Sequence, residues 1–225
     1  MRGLTVVFDL DGTLVETAPD LVAATNHVLA LHGTAPVELA AIRPIISFGS
    51  RAMIEHGLKL NGETVSQADL DRLQARFLEF YFDNIAVGSH VFEHVGTALD
   101  EIAGAGARLA VCTNKMVGPA RELLGKLGLA PRFAAITGWD SFPVRKPDPA
   151  HLTGTVRLAG GDLARTIMIG DNETDIATAK AAGVPVIAVT FGYTHEPVAT
   201  FEPNATIDHY RELVPTIRRI AAAMG

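Results

Sequence analysis

A short apolar run near the start of the chain leads directly into two acidic residues. Val6-Val7-Phe8 has strand propensity, and Asp9-Leu10-Asp11-Gly12-Thr13 follows it without a break. Strands of a parallel sheet are buried on both faces, so such a strand ends where carboxylates begin. We therefore expect Asp9 and Asp11 at the carboxyl end of a buried strand, where open α/β sheets bind ligands. The alternative is an Asx-type turn at Asp11-Gly12 that only reverses the chain.

Residues 15–85 have apolar positions at helical spacing and no strand pattern. Thr17 to Asp20 resembles a capping box and predicts a helix that ends at Gly33. Ser66 to Asp69 is a second capping box, which predicts a long helix. The sequence between them predicts, in order, a short helix over 37–42 that ends near Pro44, a loop over 47–51, and a helix to about Leu58.

From Val87 onward, predicted strands alternate with predicted helices. The predicted strands are 108–112, 134–137, 166–169, 186–189 and 205–207, and the predicted helices are 95–103, 119–127, 149–159, 175–182 and 210–223. This alternation is typical of an α/β fold with parallel strands joined by right-handed crossovers. The first strand must join the same sheet, because alone it has no partner. Residues 1–14 and 86–225 are therefore predicted to form an α/β domain, with residues 15–85 inserted as a helical domain.

Composition narrows the classes of protein to consider. The chain has 225 residues, of which 48% are hydrophobic, and a formal net charge of −6. An acidic balance without a basic run argues against a nucleic-acid partner. Cys112 is the single cysteine, so no intrachain disulfide is possible and a reducing compartment is favoured. Neither a secretory signal nor an apolar run of transmembrane length is present, so we expect a cytoplasmic protein without a membrane partner.

Polar side chains follow the ends of four predicted strands, and these ends share one edge of a parallel sheet. The side chains are Asp9 and Asp11 after the first strand, Thr113-Asn114-Lys115 after strand 108–112, Lys146 after strand 134–137, and Asp171 and Asp175 after strand 166–169. Carboxylate oxygens suit Mg²⁺, which keeps substrate phosphate oxygens in its coordination shell. A hydroxyl, backbone amides and a lysine suit a phosphate. A carboxylate beside a metal can attack phosphorus, so a small phosphorylated metabolite is the predicted partner.

These four motifs, in this order, resemble those of the haloacid dehalogenase superfamily, and the resemblance covers nearly the whole chain. Within this superfamily, the sequence most resembles the phosphatase branch that has a helical cap after the first strand. Within that branch, it most resembles the phosphoglycolate phosphatases. The resemblance implies a Rossmann-like parallel sheet sandwiched by helices, under a mobile all-α cap formed by residues 15–85.

The resemblance also implies a catalytic role for each motif. Asp9 corresponds to the nucleophile, and Asp11 to the general acid that later acts as the base. Thr113 and the following amide of Asn114 correspond to the phosphate-binding groups. Lys146 corresponds to the lysine that steadies the nucleophile and the phosphate. Simpler alternatives remain, because Thr113 could be an ordinary loop hydroxyl and Lys146 a surface lysine.

The metal site is implied in the same way. Asp171 corresponds to a Mg²⁺ ligand, together with Asp9 and the backbone carbonyl of Asp11. Asp175 corresponds to a residue that supports this site, although it could merely cap the helix that follows. Arg51, in the predicted loop over 47–51, could bind a substrate carboxylate or could lie on the surface.

The resulting prediction is a Mg²⁺-dependent phosphomonoester hydrolase that forms an aspartyl-phosphate, with 2-phosphoglycolate as the favoured substrate. The main alternative is a β-phosphoglucomutase-like isomerase, which returns the phosphoryl group to a sugar. A non-catalytic phosphate-binding module is disfavoured because every reactive position is filled, and a dehalogenase is disfavoured by Asp11. We expect residues 15–85 to determine substrate choice. Both a monomer and a homodimer remain open.

Overall fold

The computed structural model describes residues 1–224, and within them the chain divides into two compact units. The first, called here the sheet unit, contains residues 1–15, 91–192 and those from 196 onward. The second, the helical unit, contains Glu16–His90 and Tyr193–His195. The sequence places residues 193–195 with the α/β domain, so it did not indicate that this short segment packs with the helices.

The sheet unit is built on a parallel sheet with the order β5-β4-β1-β6-β7-β8. The strands of the described residues are β1 (Thr5–Phe8), β2 (Val15–Glu16), β3 (His90–Val91), β4 (Arg108–Cys112), β5 (Ala135–Thr137), β6 (Thr166–Gly170), β7 (Val186–Val189) and β8 (Ala205–Ile207). In register, Val7 of β1 lies between Ala110 of β4 and Met168 of β6. The predicted α/β class is confirmed. β2 and β3 form a separate two-stranded sheet, and β2 starts in the stretch predicted to be helical.

Helices cover the sheet because its strands are apolar on both faces. The helices of this unit are α5 (Val95–Gly104), α6 (Val117–Lys126), α7 (Pro149–Leu158), α8 (Glu173–Ala181) and α9 (Leu213–Ala223). Val7 belongs to a buried cluster with Leu152 of α7 and Ile176 of α8. Its neighbours Val6 and Phe8 point to the opposite face and are also fully buried. The sheet is therefore a core layer, with polar groups confined to strand ends.

The helical unit packs α1, α3 and α4 against one another. Its helices are α1 (Ala18–Leu31), α2 (Leu39–Ile42), a 3₁₀ helix (Arg43–Phe48), α3 (Ser50–Leu60) and α4 (Gln67–Asp83). The predicted start of α4 is confirmed, because the Ser66 hydroxyl accepts a hydrogen bond from the Asp69 backbone N–H. α2 ends at Ile42, in agreement with the short helix predicted to end near Pro44, and Pro44 itself lies in the first turn of the 3₁₀ helix. The predicted loop over 47–51 is wrong, since it contains the end of the 3₁₀ helix and the start of α3.

α1 begins directly after Thr17, as predicted, but its cap differs from the predicted capping box. The Thr17 side chain makes no capping hydrogen bond. Instead, the Tyr193 hydroxyl accepts hydrogen bonds from the backbone N–H groups of Thr17 at 2.7 Å and Ala18 at 2.8 Å. Asp20, expected to act in the capping box, accepts hydrogen bonds from the backbone and hydroxyl of Ser89. Within residues 1–224, no helix is both long enough and apolar enough to span a membrane.

Candidate active site

Three buried carboxylates meet at the carboxyl edge of the sheet. Asp9 directly follows β1, Asp171 follows β6, and Asp175 lies in the first turn of α8. One carboxylate oxygen from each residue lies within 4.8 Å of the others. Asp171 and Asp175 are fully buried, and Asp9 is 5% exposed. The structure therefore brings together three of the residues that the sequence singled out.

Lys146 is the cation among these carboxylates. Its Nζ donates a hydrogen bond to Asp175 Oδ1 at 2.6 Å and lies 2.8 Å from Asp9 Oδ1. Burial alone would lower the pKa of Lys146, but the carboxylates of Asp175 and Asp9 raise it well above its usual range. The lysine therefore stays protonated, and it is not a surface residue. Asn114 donates from Nδ2 to the Lys146 carbonyl at 3.0 Å, just before the cis peptide bond to Pro147.

The charge balance of this cluster indicates a site for a cation. Burial raises the pKa of Asp9 to about 6, although Lys146 lowers it. Asp9 Oδ1 is buried and lies 2.8 Å from the Lys146 ammonium, so the two groups form a buried ion pair. In this buried place three carboxylates face a single ammonium, so acidic groups are in excess. A hard divalent cation fits both the oxygen ligands and this excess charge.

Asp175 does not cap α8, because another residue does. The Asn172 side chain accepts hydrogen bonds from the backbone N–H groups of Thr174 at 2.9 Å and Asp175 at 3.3 Å. The Asp175 carboxylate is thus available to bind Lys146 through Oδ1 and the Asp171 backbone N–H through Oδ2, the latter at 3.1 Å. A Cβ at Gly170 would lie 2.3 Å from Asp175 Cβ, so the last residue of β6 must be glycine.

Asp11 has a separate lysine partner, which the sequence did not identify. Lys115 Nζ lies 3.1 Å and 3.3 Å from the two carboxylate oxygens of Asp11. The side chains of Lys115 and Asp11 are only 9% and 18% exposed. The position of Lys115 directly after Thr113-Asn114 was the available signal. The carboxylate of Asp11 therefore pairs with Lys115, outside the cluster of three aspartates.

Thr113 lies at the end of β4 and is almost fully buried. Its backbone N–H donates to the Thr137 carbonyl at 3.1 Å, and its hydroxyl accepts from the Lys115 backbone N–H at 3.2 Å. These contacts fix the turn that follows β4. The roles of Thr113 and Asn114 toward a phosphate stay predictions.

Arg51 lies in the helical unit, in the first turn of α3. Its guanidinium donates to Asp71 at 2.5 Å and to Gln67 at 2.6 Å, both in α4. These hydrogen bonds tie α3 to α4. A role of Arg51 toward a substrate stays a prediction.

A second group of possible metal ligands lies on the surface of the sheet unit, formed by Glu93, His94 and His209. Arg211 already binds two of these side chains. Its guanidinium donates to His94 Nε2 at 2.9 Å, and its backbone N–H donates to His209 Nδ1 at 3.0 Å. A metal on these two nitrogens would have to displace both hydrogen bonds from Arg211.

Comparisons with known proteins agree with this geometry. The sequence model of the haloacid dehalogenase-like hydrolase family matches residues 6–189. The phosphoglycolate phosphatase of Mesorhizobium japonicum is 48% identical over 221 residues, which are 98% of this chain and 97% of that protein. That of Agrobacterium fabrum is 44% identical over 211 residues, or 94% and 91% of the two chains.

A solved structure from Haemophilus somnus, described as a predicted phosphoglycolate phosphatase, superimposes with a TM-score of 0.87. It is 25% identical, and the match covers 96% of this chain and 97% of that one. The family match spans the four motifs, and the similar proteins share the whole fold. The chain therefore belongs to the haloacid dehalogenase-like hydrolases, and it is a phosphatase.

Proposed function

We propose that this phosphatase hydrolyses a phosphomonoester by way of a phosphoryl group carried on Asp9. The observation that carries the proposal is the buried Asp9 carboxylate at the end of β1, whose Oδ1 lies 2.8 Å from the Lys146 ammonium. Such a carboxylate is an oxygen nucleophile, and the adjacent ammonium offsets part of its repulsion toward a phosphate dianion.

In the first step, an Asp9 oxygen attacks phosphorus and the bond from phosphorus to the ester oxygen breaks. Asp11, in its protonated form, gives its proton to the leaving oxygen, which departs as an alcohol. In the second step, water attacks the phosphorus of the aspartyl-phosphate and passes a proton to Asp11. The bond from phosphorus to the Asp9 oxygen breaks, which releases inorganic phosphate and restores the enzyme.

The remaining motif residues bind the group that is transferred. Thr113, the amide of Asn114 and Lys146 would hold the phosphoryl oxygens. Asp9, Asp171 and the backbone carbonyl of Asp11 would hold Mg²⁺, with Asp175 as support. When bound, Mg²⁺ supplies positive charge that neutralises the phosphoryl oxygens.

The names of the relatives support 2-phosphoglycolate as the substrate. Proteins called phosphoglycolate phosphatase match nearly the full length of the chain at 48% and 44% identity. We also propose that the protein acts on this small metabolite in the cytoplasm, as a monomer or a homodimer. We propose no nucleic-acid or membrane partner.

Product analysis tests the proposed reaction. The protein is incubated with 2-phosphoglycolate and Mg²⁺, and glycolate and inorganic phosphate are measured. We expect the two products in equal amounts, no turnover in excess chelator, and recovery when Mg²⁺ is restored. Turnover that persists in chelator, with the metal content checked by elemental analysis, would exclude the metal-dependent mechanism. An isomeric phosphate ester without free phosphate, from a sugar phosphate substrate, would support the isomerase.

The Asp9→Asn variant tests the nucleophile. The amide has nearly the same shape but is a poor nucleophile, so we expect phosphate release to fall below about a hundredth of the wild-type rate. Mass spectrometry of acid-quenched wild-type enzyme should detect one added phosphoryl group, and the variant should lack it. Asp83→Asn, on the exposed end of α4, is the matched control and should keep full activity. Substantial turnover by Asp9→Asn would show that another group attacks phosphorus.

A further inference from the structure

Tyr210 lies outside the four motifs, in the short 3₁₀ helix ahead of α9, and is only 2% exposed. Its hydroxyl donates a hydrogen bond to the Thr13 backbone carbonyl at 2.6 Å. Burial, followed by the charges of Asp171 and Asp9, raises the pKa of Tyr210 well above its usual value. The phenol therefore keeps its proton and acts as a donor to this carbonyl.

Thr13 links Tyr210 to the carboxylate cluster. Its hydroxyl donates a buried hydrogen bond to Asp171 Oδ1 at 2.8 Å, across 158 positions of sequence. Because the carbonyl and the hydroxyl belong to the same residue, a shift of the Thr13 backbone would also move the group that holds Asp171. Tyr210, Thr13 and Asp171 thus form one chain of hydrogen bonds.

A second route joins Tyr210 to Asp171 by packing. The Tyr210 ring contacts the Phe191 ring, with centroids 5.8 Å apart. The next residue, Gly192, packs so closely on Asp171 that a Cβ would lie 2.2 Å from the Asp171 Cβ. The Asp171 side chain is therefore held from one side by a hydroxyl and from another by a backbone without a side chain.

We propose that Tyr210 is a positioning residue for metal binding, acting through Thr13 to hold the Asp171 carboxylate in the orientation that a divalent cation needs. This inference rests on the proposed metal site at Asp171, and it is independent of the identity of the substrate. Groups that orient a metal ligand commonly change metal affinity when they are removed, because the ligand then has to be ordered by the metal itself.

The experiment measures Mg²⁺ binding by titration calorimetry without substrate, for wild type, Tyr210→Phe, Thr13→Val and Thr13→Ser. Tyr210→Phe removes one hydroxyl and keeps the ring, and Thr13→Val removes one hydroxyl at nearly constant volume. We expect each of these two variants to weaken Mg²⁺ binding about tenfold. Thr13→Ser keeps the hydroxyl and should stay within about twofold of wild type. If the two residues act in one chain, the double variant should lose less than the product of the single losses.

Tyr81→Phe is the matched control, because it deletes the hydroxyl of another buried tyrosine in α4 of the helical unit. It should leave Mg²⁺ affinity unchanged. A thermal unfolding scan of each variant separates metal binding from stability. A lower midpoint with unchanged Mg²⁺ affinity for Tyr210→Phe would mean a purely structural role and would overturn the inference.

The two proposals fail in different ways. If wild type does not bind Mg²⁺ at all, the metal site of the proposed function is wrong. If wild type binds Mg²⁺ and Tyr210→Phe binds it within about twofold, only the positioning role is wrong. Should Tyr210→Phe not fold, Thr13→Val against Thr13→Ser decides the matter, since equal Mg²⁺ affinities of these two variants would also refute the chain of hydrogen bonds.

Discussion

Gly192 packs against Asp171 at a distance that leaves no room for any side chain. We predict that Gly192→Ala lowers the free energy of unfolding by about 1–3 kcal/mol, because the buried Asp171 must move to admit a methyl group. Phosphatase activity should fall as well, since Asp171 lies in the carboxylate cluster. Denaturant unfolding and initial rates measure the two effects.

The control for this substitution is Gly118→Ala, in the first turn of α6. A Cβ there meets nothing within 4 Å, so we expect the stability to be unchanged or slightly higher. Equal stabilities of wild type and Gly192→Ala would mean that the loop after β7 moves freely away from Asp171.

Also at the scale of residues, the sequence identified the proposed catalytic and metal-binding residues but not the residues that position them. Asp9 and Asp171 stand out because a carboxylate directly after an apolar strand cannot be core. The partners of Lys115 and Thr13, and any role of Tyr210, were not predicted, because these contacts depend on side-chain directions across distant segments. No periodicity indicates that a hydroxyl at position 210 reaches a carbonyl at position 13.

At the scale of elements, α1 begins with a cap that comes from far along the chain. The Tyr193 hydroxyl accepts from the backbone N–H groups of Thr17 and Ala18. We predict that Tyr193→Phe lowers the free energy of unfolding by about 1–3 kcal/mol, because the buried Thr17 backbone N–H loses its acceptor. Thr17→Val should cost less, since the Thr17 side chain makes no capping hydrogen bond and only a long contact of 3.4 Å with the Tyr193 hydroxyl. Denaturant unfolding of both variants tests this, and a larger loss for Thr17→Val would contradict it.

The two capping boxes explain why both helix starts were predicted correctly but only one of the two capping interactions was. At Ser66 the acceptor and the donor are three residues apart, so local sequence is sufficient. At Thr17 the acceptor is 176 residues away in sequence, and a local pattern cannot include it. Asp20, which looked like part of a local cap, binds residues 68 and 69 positions further along the chain.

At the scale of the whole molecule, stability should depend on a buried histidine in α7. His151 is fully buried beside Phe142 and Thr137. Burial, followed by the charge of Lys146, lowers its pKa from 6.5 to about 4. Between these two pH values the unfolded chain binds a proton that the folded protein does not, so stability falls as the pH falls. Above about pH 6.5 His151 is neutral in both the folded and the unfolded chain, and its titration costs no stability. Below about pH 4 the loss in the free energy of unfolding reaches about 3 kcal/mol.

We therefore predict that the free energy of unfolding depends less on pH between 7 and about 4 in His151→Gln than in wild type. Denaturant titrations at a series of pH values measure this. His90→Ala, which removes an exposed histidine, is the control and should leave the pH dependence unchanged. Identical slopes for wild type and His151→Gln would show that another group governs the response to acid.

The α/β class of the molecule could be predicted from the alternation of strands and helices, because a helix between two strands of one sheet usually connects them in parallel. The sequence pattern did not determine the strand order, with β1 between β4 and β6, since any of several neighbours would bury the same apolar faces. It also did not indicate that residues 193–195 pack with the helical unit, because their contacts are with residues distant in sequence, such as the Tyr193 ring with Arg43 and the His195 ring with Phe48.

The buried thiol of β4 has a practical consequence. Cys112 is the only cysteine of the chain, is fully buried, and has its pKa raised to about 11, chiefly by burial. A thiol reagent must reach the sulfur and reacts with the thiolate. In the folded protein Cys112 is buried and protonated at neutral pH, so neither condition is met. Labelling of Cys112 therefore requires unfolding around β4, and the labelling rate reports how often this unfolding occurs. The natural sequence thus already contains one chemical reporter of these rare events.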